Sequence, residues 1–288
     1  MGKIKVSAET TCDLSAEVLK KYNISIIPLN VIMGEETFLD GINIHKEDIF
    51  EFVEKTKILP KTAAPSVGVF SDFFTELTKD GSSVIHISIS SGFSSTVNNA
   101  EVAAREVGNV YVIDSFNLST GIGLSVVEAA VWAQKDDVTP EQIVEHITKD
   151  IIPCVDASFI IDRLDYLYKG GRCSGVAVLG ANLLKLKPCI EVTNGKMDVG
   201  KKYRGSFKDA IKTYVKDRLS GDKSLFVPDR VFITSPTRNQ EFYDAAHQAV
   251  EEMGIFKEII ETSAGCTITS HCGEHTIGIL FVRTQKKG

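Results

Sequence analysis

The amino-acid sequence predicts an α/β protein of two domains, with a parallel sheet in the N-terminal domain and strands mixed with helices in the C-terminal domain. In the first half of the chain, strand and helix patterns alternate, which is typical of parallel strands covered by helices on both faces. After Pro153, strand-like stretches mix with helices, and Asn194-Gly195 is a strong hairpin signal. We therefore predict domains over residues 1–155 and 156–288.

The elements of the first half follow from the spacing of apolar residues. Alternating or continuous apolar runs predict strands, and apolar residues three or four positions apart predict helices. Asp13 or Ser15 can cap the first helix, because short polar side chains accept hydrogen bonds from the free N–H groups at a helix start. The predicted elements are strands at 3–8, 83–89 and 110–113, a second apolar run at 24–33, and helices at 15–22, 46–55, 69–79, 97–107 and 124–134.

The second half of the chain follows a capped helix. The segment Thr139-Pro140-Glu141 predicts a helix that runs to about Lys149. Asn194-Gly195 supplies the two central residues of a tight turn between neighbouring strands. Strands are predicted at 158–161, 189–192, 230–235 and 276–283, and helices at 206–219 and 239–253.

Composition and charge argue against several classes of protein. Of 288 residues, 43% are hydrophobic and 24% are charged, which is ordinary for a globular chain. The formal net charge of −6 argues against a broad nucleic-acid surface or a polybasic membrane contact. No stretch approaches about eighteen uncharged apolar residues, so we expect no membrane-spanning helix. Six scattered cysteines without a Cys-x-x-Cys pair indicate reduced thiols in a cytoplasmic protein rather than a zinc site.

Residues 90–96, the serine loop, place four serines, a glycine and a threonine between a predicted strand and a predicted helix. A helix start carries unpaired N–H groups and partial positive charge, and hydroxyls add donors, so such a loop can bind an anion. The loop contains no lysine or arginine, which favours one small anion, such as a carboxylate, over a polyphosphate. The candidate residues are Ser91, Gly92, Phe93, Ser94, Ser95 and Thr96.

Further stretches carry candidate residues, and most of these have a structural alternative. Thr62 precedes a helix and is as consistent with a turn cap as with a ligand contact. Ser115 and Gly121 follow a strand, but a glycine there also fits tight helix–sheet packing, and the third glycine of a dinucleotide site is missing. Arg172 follows a glycine pair and is also consistent with a surface ion pair. His271 stands in a polar segment before the last predicted strand.

In their order along the chain, these stretches resemble the DegV family, and the resemblance covers nearly the whole sequence. Its segments are 9–14 (Glu-Thr-Thr-Cys-Asp-Leu), 27–29 (Ile-Pro-Leu), Asp40-Gly41, 61–66 (Lys-Thr-Ala-Ala-Pro-Ser), the serine loop, Asp114-Ser115, Gly170-Gly171-Arg172, 186–188 (Leu-Lys-Pro) and 270–273 (Ser-His-Cys-Gly). Three places depart from the family pattern: Glu9-Thr10 replaces Asp-Ser, Ala63 replaces serine, and Gly273-Glu274-His275 replaces Gly-Pro-Gly. The last change predicts a bulkier, charged rim near His271.

This resemblance implies a two-domain DegV-like fold, with a parallel-sheet N-terminal domain and a mixed-sheet C-terminal domain. It also implies that a long-chain fatty acid, such as palmitate, stearate or oleate, lies in a tunnel between the domains. Several members resemble the binding subunit of bacterial fatty acid kinase. That subunit holds the fatty acid while a separate ATP-dependent kinase subunit phosphorylates the carboxylate to an acyl phosphate for phospholipid synthesis. The resemblance implies that Thr62 and Ser94 hydrogen-bond the carboxylate, that His271 lies beside them, and that the chain is a non-catalytic carrier without a cofactor or metal.

Two stretches of the predicted second domain concentrate positive charge on an otherwise acidic protein. One contains Arg172, and the other is the run 201–204 (Lys-Lys-Tyr-Arg), which ends at Arg204. Such charge can steer an acidic partner or lie near its ATP phosphates, so we expect both arginines on the face that docks the kinase. Ordinary solvated cations are the alternative. We expect a cytoplasmic monomer with no nucleic-acid partner and no stable membrane insertion.

Two enzymatic alternatives stay open at this point. Ser94 lies at a strand-to-helix turn, and Asp114 and His271 follow it in the chain order of an esterase-like or lipase-like serine hydrolase. However, Thr96 replaces the second glycine that a nucleophile elbow needs. An autonomous kinase is the other alternative, but the sequence has no Gly-x-x-x-x-Gly-Lys loop. Labelling of Ser94 by a fluorophosphonate probe separates a hydrolase from a carrier.

Overall fold

The computed structural model describes residues 3–173, 175–176 and 186–286, which contain three β-sheets and their covering helices. The strands are β1 (Ile4–Glu9), β2 (Ile24–Ile27), β3 (Asn30–Met33), β4 (Glu36–Leu39), β5 (Lys61–Ala63), β6 (Ser83–Ser88), β7 (Val110–Asp114), β8 (Val155–Ile161), β9 (Lys187–Thr193), β10 (Lys196–Tyr203), β11 (Phe226–Ser235), β12 (Glu258–Ser263) and β13 (Thr276–Arg283). The helices are α1 (Ala16–Tyr22), α2 (Lys46–Thr56), α3 (Val67–Thr78), α4 (Thr96–Val107), α5 (Thr120–Trp132), α6 (Pro140–His146), α7 (Asp165–Gly170), α8 (Phe207–Arg218), α9 (Gln240–Met253) and α10 (Cys266–Cys272).

The sheets confirm the predicted fold class. A parallel sheet has the order β2-β1-β6-β7, as the strand–helix alternation predicted. The larger sheet has the order β10-β9-β8-β13-β11-β12 and is mixed, since β11 and β12 are parallel and the other described pairs are antiparallel. Asn194-Gly195 turns between β9 and β10 with both residues at positive φ, as expected for this hairpin. The domain boundary near residue 155 coincides with the start of β8 and stays a prediction.

Helices cover the outer faces of the two main sheets and also fill the space between them. The outer face of the parallel sheet packs against α3 and α4 in a cluster that includes Phe70 and Phe74. The outer face of the mixed sheet packs against α8 and α9, and Tyr214 of α8 is fully buried there. The inner faces of both sheets share one apolar core with α5. A third, small antiparallel sheet has the order β4-β3-β5.

The central helix α5 is buried on nearly every side. Ten of its 13 residues are buried, and it contacts β1 and β6 of the parallel sheet as well as β8 and β13 of the mixed sheet. A helix that is apolar all round is stable only inside a protein. Two glycines let neighbouring side chains approach the first turn of α5 closely. Gly121 packs against the side chain of Asn117, and Gly123 packs against Leu14. The helix therefore fixes the separation of the two main sheets.

Several elements differ from the expectation drawn from the sequence: β5, α7 and β12 were not predicted, and three further differences concern the region of the site. The apolar run over 24–33 is two strands of different sheets, β2 and β3, and Pro28 lies between them. α5 begins at Thr120 rather than near residue 124, because packing against both sheets outweighs the low helix propensity of its two glycines. α10 was not predicted, since threonine, serine and cysteine are weak helix formers.

The six cysteines are all buried and none forms a disulfide. Among the described helices, none is long and apolar enough to cross a membrane. Within the described part of the chain, no group of three or more histidine, cysteine, aspartate and glutamate side chains is placed to hold a metal ion.

Gly121→Ala is expected to lower the free energy of unfolding by about 1–3 kcal/mol, because an added Cβ would lie 2.1 Å from Oδ1 of the buried Asn117. Gly68→Ala is the matched control, since an added Cβ in α3 meets nothing closer than 4.0 Å. There, the higher helix propensity of alanine should raise stability by about 0.5–1 kcal/mol. Urea unfolding measures both, and equal effects would contradict the packing assigned to α5.

Candidate functional site

A narrow, largely apolar cavity lies between the inner faces of the two main sheets. Leu118 and Ser119, which immediately precede α5, form part of its wall. The cavity therefore lies next to the N-terminal end of the buried helix. Its volume is about 90 Å³, measured as the space open to the centre of a water molecule. The apolar wall includes Phe93, Phe159, Leu167, Val192, Met197 and Leu280.

Thr62 and His271 meet in the wall of this cavity. The Thr62 hydroxyl oxygen lies 2.9 Å from Nε2 of His271, and the two groups share a hydrogen bond. Thr62 belongs to β5, which is held in place by pairing with β3, and His271 lies in the last turn of α10. The fold thus brings together two predicted site residues that are 209 positions apart in the chain.

Ser94 also lines the cavity, together with its neighbour Phe93. Its Oγ lies 2.7 Å from Oγ1 of Thr96 and accepts the Thr96 backbone N–H at 3.3 Å, so it helps to cap α4. A hydroxyl has one proton and two acceptor lone pairs. Ser94 can therefore accept from Thr96 and still donate its proton to a ligand.

The other residues of the serine loop support its own conformation. The Ser91 N–H donates to a carboxylate oxygen of Asp114 at 3.2 Å, and Ser95 is exposed. Gly92 lies against the β9–β10 turn, where an added Cβ would be only 2.2 Å from the Gly195 carbonyl oxygen. The loop thus needs its glycine for close contact with the second half of the chain, and these three residues and Thr96, which we expected near the ligand, lie outside the cavity lining.

Ser115 and Gly121, which we expected near the ligand, also lie outside the cavity lining. The Ser115 hydroxyl donates to the carbonyl of Asn117 at 3.3 Å and accepts its N–H at 3.1 Å. Gly121 packs against the Asn117 side chain. Both residues therefore shape the turn into α5, and the packing alternative describes the position of Gly121.

His271 is neutral at neutral pH. Burial, and to a smaller extent the positive charge of Arg172, lowers its pKa from 6.5 to about 4. Its Nδ1 has no hydrogen-bond partner among the described residues. This atom faces the end of α7, where a Cβ added to Gly170 would lie 2.8 Å away. Gly170 therefore lets the segment that carries Arg172 come close to the imidazole.

The two predicted docking arginines lie in different surroundings. Arg172 contributes to the cavity wall, but its side chain is largely exposed and its Nη1 donates to the Gly170 carbonyl at 2.6 Å. Arg204 is exposed in the connection between β10 and α8, outside the cavity lining. The structure thus places Arg172 beside His271, and the docking role of both arginines stays a prediction.

The charged residues expected at a rim near His271 face a neighbouring polar groove. Glu274 accepts a hydrogen bond from Arg238 at 2.8 Å, and Nδ1 of His275 lies 3.3 Å from a carboxylate oxygen of Asp162. Glu274 and His275 line this groove and not the apolar cavity. Cys272 lines both spaces, so it separates the groove from the cavity.

Comparison with known proteins identifies the same family that the order of the short motifs resembles. The family model of DegV, described as an uncharacterised protein family, matches residues 3–284. A DegV domain-containing protein of Staphylococcus aureus is 35% identical over 294 residues, covering 98% of this chain and 100% of the relative. This chain belongs to the DegV family.

Two solved structures share the fold of this DegV protein. A DegV family protein from Thermus thermophilus, whose structure is described as showing fatty acid binding, has a TM-score of 0.87 at 25% identity and covers 98% of this chain and 99% of its own. A stearic-acid-binding protein from Eubacterium ventriosum has a TM-score of 0.82 at 26% identity, covering 99% of each chain.

The three residues of the hydrolase alternative do not form a catalytic triad in this DegV protein. Asp114 accepts backbone N–H groups of Ser91 and Phe116, at 3.2 and 2.8 Å. His271 bonds Thr62 instead, and no hydrogen bond between described residues joins it to Asp114. A serine hydrolase needs a carboxylate that orients the histidine base. The three side chains are therefore not arranged as the hydrolase alternative requires.

Thr267 is a cavity residue that the sequence reasoning missed. It is buried in the cavity wall, and its hydroxyl has no hydrogen-bond partner among the described residues. It precedes His271 by four positions in α10, so both side chains lie on one face of the helix. The four-residue spacing is visible in the sequence, but it places the two side chains on one face only if the segment is helical, and the helix was not predicted.

His271 is expected to titrate near pH 4 in NMR spectra of the ligand-free protein, and Arg172→Ala should raise its pKa by removing a nearby positive charge. Because the unfolded state binds the proton more readily between pH 6.5 and 4, stability should fall as the pH falls through that window. A His271→Asn variant should lack this component. Lys257→Ala, which removes an exposed cation elsewhere, is the control for Arg172. A His271 pKa at or above 6.5 would contradict burial of the neutral ring.

Proposed function

We propose that this DegV protein binds one long-chain fatty acid in the cavity, with its carboxylate at Thr62, Ser94 and His271. The observation that carries the proposal is an apolar cavity whose wall holds hydroxyl and imidazole groups from three separate elements. Fatty acid binding by the Thermus thermophilus and Eubacterium ventriosum proteins supports this class of ligand. Palmitate, stearate and oleate belong to it.

The hydrocarbon tail supplies most of the affinity. A sixteen-carbon acid has about fourteen methylene groups, and burying all of them contributes roughly 11 kcal/mol at ~0.8 kcal/mol each. The apolar wall offers aromatic and branched side chains for this contact, and Met197 adds an unbranched side chain that adapts to the shape of its neighbours.

The head group needs hydrogen-bond donors, because a buried carboxylate costs several kcal/mol when its oxygens are left unpaired. The hydroxyls of Thr62 and Ser94 can each donate one hydrogen bond to the carboxylate, and a neutral His271 that donates Nε2–H to the Thr62 oxygen leaves the Thr62 proton free for the ligand. A bidentate arginine would hold both oxygens more tightly. Hydroxyl donors leave one carboxylate oxygen nucleophilic, which suits a ligand that is modified while it is bound.

This chemistry supports a role as a carrier rather than an enzyme. In this proposal, a separate ATP-dependent fatty acid kinase subunit phosphorylates the presented carboxylate to an acyl phosphate for phospholipid synthesis, and the carrier itself is a cytoplasmic monomer without a cofactor. The exposed guanidinium of Arg172 beside His271 is suited to meet an anionic partner or the phosphates of ATP, and Arg204 adds positive charge in the same half of the chain.

Ser94→Ala and Thr62→Ala should each weaken palmitate binding by about 1–3 kcal/mol, because each leaves a charged acceptor without a donor. Ser95→Ala is the matched control, since Ser95 is an exposed serine of the same loop outside the cavity lining. Isothermal titration measures the affinities. Wild-type affinity in the Ser94/Thr62 double variant would show that the carboxylate lies elsewhere.

Arg172→Ala and Arg204→Ala should each slow acyl phosphate formation when kinase and ATP are supplied, and Arg204→Ala, at a residue outside the cavity lining, should retain palmitate binding. The reason is that both guanidinium groups are exposed and available to the partner. Lys257→Ala is the control, because it removes an exposed cation outside both basic stretches. Wild-type rates in both arginine variants, over a range of carrier concentrations, would refute the docking assignment and leave the binding proposal intact.

A further inference from the structure

The N-terminal end of α10 is held by two buried aspartates from the first half of the chain. The Cys266 and Thr267 N–H groups donate to the two carboxylate oxygens of Asp40, at 2.8 and 2.9 Å. The Gly265 N–H donates to Asp13 at 2.8 Å. These bonds join residues that are 226 to 252 positions apart in the chain.

α10 does not itself satisfy the N–H groups at its start, although Cys266 packs there against Ile44 and Ile49. It has only seven residues, and its N-cap, Gly265, has no side chain to accept the free N–H groups. Helices this short are not stable alone, because the hydrogen bonds of one or two turns do not offset the unfavourable free energy of nucleation. The three N–H groups at this end therefore depend on Asp13 and Asp40 for their partners.

The same helix carries the candidate head-group residue. His271 lies five residues after Cys266, which is about 7.5 Å along a helix axis. Thr267, Ile268 and His271 all form part of the cavity wall. A rotation of α10 about its start would therefore move the imidazole away from Thr62, whose hydroxyl lies 2.9 Å from Nε2.

We propose that Asp40, assisted by Asp13, is a positioning residue for ligand binding: it fixes α10 so that His271 and Thr62 meet the ligand carboxylate together. This inference rests on the proposed carboxylate site. It also gives a role to two motif residues, in segments 9–14 and 40–41, that do not line the cavity.

The two aspartates differ in what can replace them. Both oxygens of Asp40 accept backbone N–H groups, so an asparagine would turn its NH2 group towards one of these donors. One oxygen of Asp13 accepts from Gly265, and the other contacts the Ser119 hydroxyl at 2.6 Å. An asparagine at position 13 keeps both contacts, because its NH2 group can donate to the hydroxyl oxygen. Burial also raises the pKa of Asp13 to about 8, so its neutral form already resembles asparagine.

The test compares palmitate with hexadecanol, which has the same tail but no carboxylate. Asp40→Asn should lower palmitate affinity about tenfold or more and change hexadecanol affinity less than about twofold. Asp13→Asn should change both affinities less than about twofold. Asp156→Asn is the stability control: its buried carboxylate pairs with Arg218 and Arg283 in the second half of the chain and does not line the cavity. It should leave the ratio of the two affinities unchanged.

An independent readout is the imidazole of His271. In Asp40→Asn, its NMR pKa should rise from about 4 towards 6.5, because a displaced ring is hydrated again, and Asp156→Asn should not show this rise. If Asp40→Asn does not fold, Asp13→Ala tests the positioning role instead. Because it removes the partner of the Gly265 N–H, it should lower the preference for palmitate over hexadecanol about threefold.

A folded Asp40→Asn protein with the wild-type palmitate preference and the wild-type His271 pKa would overturn the positioning role. A wild-type protein that binds both ligands with equal affinity would instead refute the proposed carboxylate site. The two failures are therefore distinguishable in one set of measurements.

Discussion

One buried helix sets the geometry on which the rest of the structure depends. α5 lies between the parallel and the mixed sheet, with ten of its 13 residues buried, and it holds the two inner faces apart. Along its length, the side chains of α5 fill the space between the two sheets. Next to Leu118 and Ser119, which precede the helix, that space is left open and forms the cavity. The position of the cavity is thus a consequence of where α5 begins.

The polar groups of the site lie on short segments that are held from outside the cavity. Thr62 is on a three-residue strand that pairs with β3. Ser94 is on a loop fixed by Asp114 and by contact with the Gly195 carbonyl. His271 is on a seven-residue helix whose first N–H groups bind Asp40. None of these segments is stable alone, so the donor geometry depends on the whole fold.

The sequence was sufficient for those features that depend on local patterns. Strand β13 was predicted with its observed bounds, because its apolar residues form a continuous run before a charged end. The parallel sheet followed from alternation, and the grouping of Thr62, Ser94 and His271 followed from the resemblance of short motifs. The start of α5 was missed, because two glycines in its first turn have low helix propensity, and their close contacts with Asn117 and Leu14 are not visible in the sequence.

The remaining features depend on contacts between distant residues. α10 has a sequence with weak helix propensity, and its N–H partners are more than 200 positions away in the chain. Nothing in segments 9–14 or 40–41 indicates that their aspartates meet this helix. Likewise, Gly92 appeared suited to close contact with a ligand, but it is required by the approach of Gly195.

The central claim is that the cavity holds one fatty acid. Native mass spectrometry of the protein purified from cells, followed by solvent extraction, tests this most directly. We expect a mass increment of one long-chain fatty acid per chain, and the same acid in the extract. A protein that carries no lipid and takes up neither added palmitate nor added oleate would contradict fatty acid binding in the cavity.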